Sequence, residues 1–245
     1  MKPILYSIVF IIYPTLSTFS QEKALSPLDH QADVRLLKSE VYTMDWFIVT
    51  DTTEVKIGEV ATRIQKKEAV TYVITQVKMN RSTDKWVDST VVATRNFKPI
   101  YHASYNQQRD MVLKFDEKVT GYYLDKKNST KNPILEETNT SFFDSNFYPQ
   151  LIRWLPLKTG YNGSIAIFDY NPKSGTGVLT ATIKNTELAT LEHKGANKAI
   201  WKVTVTDDIS QNTAISTYYI EKESRKVLKQ EIDLGGSKMV MELVD

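Results

Sequence analysis

Imidazole is scarce in this sequence: His30, His102 and His193 are the only histidines, and they lie far apart. None belongs to a ligand-spaced pair such as HExxH, so a zinc site would have to gather its ligands from separate strands. His102 alone sits in a strand-like run (PIYHASY), where it reads as a face residue with a hydrogen bond. No serine occupies a GxSxG elbow or an SxxK motif with its partners, so no recognisable acyl-transfer nucleophile is present. Cysteine is absent, which excludes thiolate nucleophiles, thiolate metal ligands and disulfides. The paired acids Glu136–Glu137 and Asp207–Asp208 are adjacent on strand-like runs. Adjacent strand residues point to opposite faces, so neither pair makes a carboxylate dyad, and glycosidase chemistry would need two carboxyls brought together from different strands. The glycines at 175, 177, 235 and 236 open no helix and read as turn glycines rather than a phosphate loop. These residues describe a non-enzymatic protein with no cofactor and no metal site. A hydrolase with a scattered polar site is one alternative.

Aromatic side chains are the remaining chemical lead. Trp46, Tyr72, Trp86, Phe97, Tyr101, Tyr123, Phe147, Trp154, Trp201 and Tyr218 are among many. They either fill the space where a sheet packs on a helix or line a binding cavity. Net charge is +2 with the signs interspersed, so no basic face for nucleic acid is expected. Lys66–Lys67 and Lys126–Lys127 read as solvated turn charges.

Period-two alternation is what must position these residues. In 109–116, Met111, Leu113 and Phe115 share one face and Asp110, Lys114 and Asp116 the other. Similar runs occupy 70–79, 86–94, 164–170, 177–184, 199–206, 214–221, 226–234 and 238–244, rich in the Val, Thr, Ile and Tyr that suit a pleated, half-buried surface. Short polar connections at 80–85, 207–212, 221–226 and 234–237 read as hairpin loops, and such loops join antiparallel neighbours. The expected fold is mainly β (α+β): a large curved antiparallel meander sheet or half-barrel with one or two short helices. The main helix is placed at Tyr148–Leu155, opened by Pro149 and ended by Pro156. A weaker helix is placed at Gln31–Ser39, and the loop-like stretch at 126–133 is the best candidate boundary.

The first twenty residues carry a signal-peptide pattern. Lys2 precedes the apolar run Ile4–Tyr13, and Thr18 and Ser20 stand at −3 and −1 of a cut before Gln21. The run is about half the ~20 residues that a spanning helix needs. The expected organisation is a signal peptide at 1–20 and a single β-rich domain at 21–245, exported, with no membrane span after cleavage. Missing disulfides favour a bacterial periplasm or cell envelope.

The sequence of elements through GYYLD (121–125), FYPQLIRWLPL (147–157), GSIAIFDYNP (163–172), AIWKVTV (199–205) and ISTYYIEKESRKVLKQEI (215–232) resembles uncharacterised exported β domains of Gram-negative bacteria. In outline these are similar to the outer-membrane lipoprotein carrier family. The resemblance implies an open half-barrel whose concave face is covered by helix and holds acyl chains or hydrophobic peptides. The carrier family's lid-controlling arginine has one tempting counterpart, Arg153. The expected ligand is apolar or amphipathic and lipid-like, lined by Phe147, Leu151, Ile152, Trp154 and Leu155. An envelope protein–protein interaction module is the other alternative.

Overall fold

The computed structural model describes residues 23–83, 85–173 and 175–244. The segment expected to direct export, residues 1–20, lies outside them. Asp33 caps a short 3-10 turn at Val34–Leu36 by accepting the Arg35 N–H, within the stretch expected to be weakly helical. Fifteen strands follow: β1 Glu40–Val49, β2 Glu54–Lys66, β3 Val70–Met79, β4 Trp86–Ala93, β5 Pro99–Tyr105, β6 Arg109–Phe115, β7 Lys118–Asp125, β8 Thr130–Glu137, β9 Phe143–Asp144, β10 Gly163–Asn171, β11 Gly175–His193, β12 Ala196–Asp207, β13 Ile215–Glu221, β14 Val227–Asp233 and β15 Lys238–Leu243. One helix, α1 Tyr148–Ile152, separates β9 from β10.

All fifteen strands form one curved, open sheet in the order β8-β7-β6-β5-β4-β3-β2-β1-β15-β14-β13-β12-β11-β10-β9. Two meanders meet where β1 pairs antiparallel with β15, so the first and last strands lie mid-sheet. The expected hairpins are present. Gly235 adopts φ 77° in the turn where the Leu234 N–H bonds to Ser237 O at 3.0 Å, a conformation glycine reaches without steric cost.

Four details depart from the expectation. First, β9 runs parallel to β10, because the connection through α1 crosses over rather than turning back. Second, half of the stretch expected as a boundary is strand β8. Pro133 sits there because β8 is an edge, where its missing N–H costs no ladder bond. Third, β11 runs through 193, well past 184, and a bulge between Ile183 and Asn185 lets it bend. Fourth, α1 ends at Ile152; Arg153 and Trp154 continue as hydrogen-bonded turn.

The concave side holds two apolar clusters. In the larger, Phe147, Leu151, Ile152, Trp154 and Leu155 pack with Leu37, Ile64, Val73, Val92, Phe97, Ile200, Val203, Tyr218 and Ile220. Phe97 stacks on Trp154 with centroids 5.4 Å apart, and Phe147 lies 5.5 Å from Phe97. Burying each such side chain contributes about 1.5–3 kcal/mol. In the smaller, Phe168 of β10 reaches Met111, Leu113, Phe115, Val119, Tyr123 and Ile134 of β6, β7 and β8. The two arms of the sheet therefore face each other across a lumen without closing into a barrel.

Candidate functional site

Same-face residues two apart along a strand define successive levels of the lumen. On β4 these are Trp86, Asp88, Thr90 and Val92; Val92 lies in the helix-bearing core, Asp88 and Thr90 are buried polar residues, and Trp86 borders an open cavity. Strand pairing extends each level sideways. Thr90 pairs with His102 and His102 with Leu113, while Asp88 pairs with Ser104 and Ser104 with Met111. The lumen is thus apolar around α1, polar in the middle and open at one end.

The polar layer is a clasp between the two arms. Asp144, on β9, lies across from β4 and β5. His102 Nδ1 is 3.0 Å from each Asp144 carboxylate oxygen, Thr90 Oγ1 donates to Oδ2 at 2.9 Å, and the Asn146 N–H donates to Oδ1 at 3.1 Å. His102 and Asp144 are only 5% and 1% exposed. Burial opposes the imidazolium, but the Asp144 charge and hydrogen bond, with Asp88 behind them, outweigh it and raise the His102 pKa. Burial raises Asp88, although Ser104, His102 and Trp86 partly oppose it. Trp86 and Ser104 stand close enough to favour its ionised form, yet neither makes a well-formed hydrogen bond to it. Burial also raises Asp169, whose Oδ1 accepts from Ser145 Oγ at 2.7 Å. Among the described residues no group of three or more His, Asp or Glu side chains is placed to hold a metal ion.

Above this layer lies a cavity of about 510 Å³, within the roughly 300–1,000 Å³ of small-molecule sites. Trp46, Val77, Met79, Trp86 and Tyr123 give it an apolar wall. Lys85, Arg109 and Lys173 supply cations, and among the described residues no carboxylate borders it. Tyr42, Met44 and Trp46 share the inward face of β1, and Trp46 is the one nearest the open end. A second cavity of about 520 Å³ adjoins it, shares Gln107, Gln108, Tyr123 and Lys173, and adds Asp125, Lys126, Lys127 and Asn128. Lys126 is engaged there with Asp110 at 2.7 Å.

The expected ligand-lining residues lie elsewhere. Phe147, Leu151, Ile152, Trp154 and Leu155 are all at most 1% exposed, and none borders this cavity. The reason is geometric. Tyr148, Leu151 and Ile152 of α1 are buried while Pro149 and Gln150 are half-buried, so the apolar side of the helix is taken up by packing against the sheet. Arg153 is likewise enclosed at 3% exposure. Its Nη2 meets Glu40 at 2.6 Å, Nε donates to Arg225 O at 2.6 Å and Nη1 donates to Gln150 Oε1 at 2.8 Å. Fully partnered, it fastens α1 to β1 and to the turn between β13 and β14. Asp207, at the end of β12, accepts from Tyr148 Oη at 2.7 Å, and Asp208, in the turn that follows, from the Thr180 N–H at 2.9 Å. Trp46, Trp86 and Tyr123 stood among the aromatic candidates, but alternation alone does not say which aromatics meet at the open end.

Comparison with known proteins gives a family and a fold. The model described as "Protein of unknown function (DUF3108)" matches residues 41–244, and the chain belongs to that family. A crystal structure of a β-barrel-like DUF1849 protein from Brucella abortus is similar at a TM-score of 0.53 and 13% identity, covering 85% of this chain and 97% of that one. A DUF1329 protein from Desulfovibrio piger aligns over 86% of each chain at 10% identity, with a TM-score of only 0.27. No curated protein matches.

Proposed function

We propose that this member of the DUF3108 family is a non-enzymatic, exported binding protein that holds an apolar or amphipathic small molecule at the open end of its curved sheet. One observation carries the reading: the cavity walled by Trp46, Val77, Met79, Trp86 and Tyr123 on the concave face. A concave apolar wall with a few polar groups at its rim is the usual form of a small-molecule site. The signal pattern at 1–20 supports delivery to a periplasm or cell envelope. Among the described residues no helix is long and apolar enough to cross a membrane. The outline shared with the lipoprotein carrier family supports a lipid-like occupant, now assigned to this cavity instead of the space around α1.

The burial of the polar layer supports a non-enzymatic role. His102 and Asp144 have the polarity of a general-base pair, but neither borders the cavity, and catalysis requires the base within reach of the substrate proton. Strand addition to a protein partner is less favoured. The exposed edge β8 carries Lys131, Pro133, Glu136 and Glu137, the residue types that block edge pairing. The test is native mass spectrometry with lipid extraction on protein purified from its own host. A co-purifying amphiphile that is lost on Trp86→Ala substitution supports the proposal. Protein that is free of any ligand, and that fails to take up added amphiphiles, overturns it.

A further inference from the structure

We infer that the ligand carries an anionic head group and that Arg109 is its anchor. This rests on the cavity reading above and adds a charge to it. Arg109 opens β6 on the inward face it shares with Met111, Leu113 and Phe115. Its side chain is half-buried and borders the cavity, and its Nε is buried without a hydrogen-bond partner. Among the described residues Arg109 forms no ion pair, and neither Lys85 nor Lys173 does, although both border the same space. Three cations surround an apolar wall, with no carboxylate among the described residues that border it. A guanidinium with unused donors is suited to a planar carboxylate or a sulfonate, which it can engage through two parallel hydrogen bonds.

No described carboxylate supplies that partner: Asp125, which pairs with Arg109 across β6 and β7, accepts instead from the Lys127 and Asn128 N–H groups and from Asn128 Nδ2. Asp88 and Asp169 feel the Arg109 charge, but neither borders the cavity and neither bonds to it. They lie in the polar layer below, where Asp169 is engaged by Ser145. Trp46 Nε1 is a further buried donor without a partner, on a side chain that borders the same cavity. An acceptor-rich head with an apolar body therefore matches both halves of the lining. The apolar body would lie along Trp46, Val77, Met79, Trp86 and Tyr123, with the head toward Arg109 and the two lysines.

The test compares dodecanoate with dodecanol, which share a chain and differ in head charge, by isothermal titration and tryptophan fluorescence. The unmutated protein should bind dodecanoate at least about tenfold more tightly. Arg109→Gln should weaken dodecanoate binding much more than dodecanol binding and so remove most of that preference, and Arg109→Lys should retain most of it. Added salt should weaken dodecanoate binding to the unmutated protein and leave dodecanol unaffected, a readout that does not depend on any variant folding. Equal affinity for the two probes, or equal weakening of both by Arg109→Gln, overturns the anionic head group while the cavity stands. Absence of binding by either probe overturns the cavity reading as well.

Discussion

Substitution of Asp144 by alanine tests the idea that a buried clasp holds the two arms of the sheet together. The Asp144 carboxylate accepts from the His102 imidazole, from Thr90 Oγ1 and from the Asn146 N–H, all within 3.1 Å. Alanine strands the imidazole and the Thr90 hydroxyl, both buried from water, without their acceptor. Leaving one buried donor unpaired costs about 1–3 kcal/mol, and removing one partner of a buried charge pair costs about 3–5 kcal/mol. These overlap, so the expected loss is about 3–5 kcal/mol. For a chain of this size each kcal/mol lowers the melting temperature by roughly 2–4 °C, giving a fall of ~6–20 °C. The assay is equilibrium urea unfolding followed by circular dichroism, with thermal melts in parallel. The double variant Asp144→Leu/His102→Leu removes both charges and should recover much of the loss, since apolar replacements of buried pairs are often near neutral. A single-variant loss under about 1 kcal/mol, or a double variant that loses stability additively, would refute the clasp.

Arg153→Met should destabilise by about 3–5 kcal/mol, because it strands the Glu40 carboxylate and unfastens α1; urea unfolding measures it. Stability should decline as pH rises from about 6.5 through the raised His102 value. A pKa raised on folding contributes stability that is complete below the unfolded value and lost above the folded one. Asp88 and Asp169, also raised, act in the same direction at lower pH, and the His102 part of the slope should vanish in His102→Gln when melting temperature is followed against pH. Gly121→Ala should cost at least about 2 kcal/mol in the same assay: Gly121 has φ +155°, and an added Cβ would lie 1.8 Å from Val112 O.

The meander was legible because its inner face repeats every second residue and its turns are short and polar. Runs such as 109–115 and 70–79 name their own faces. Strands β1 and β2 carry charges among their inward residues' neighbours and do not stand out, although Tyr42, Met44 and Trp46 share one face. The end of β11 was hidden for a similar reason: beyond Ile183 its inward positions are Thr186 and small or mixed residues, while Leu188 faces solvent. The helix was legible from Pro149, Pro156 and its apolar spacing, but its role was not. Apolar spacing states that a helix buries a face; it does not state whether the sheet leaves room beneath it. The site itself depends on pairs distant in sequence. Asp144 meets His102 across 42 positions, and nothing local to DSN or YHA announces the contact. Arg109 looks like an ordinary strand-opening cation until the fold brings it to the cavity that Trp86 and Tyr123 also line.

The most direct test of where the ligand sits is a crystal structure of the protein with undecanoate carrying a bromine at its far end, located by anomalous scattering. The account predicts a bromine peak among Trp46, Val77, Met79 and Trp86, with the carboxylate beside Arg109. A peak among Phe147, Leu151 and Trp154 beneath α1, or no ordered bromine within the lumen, would contradict it.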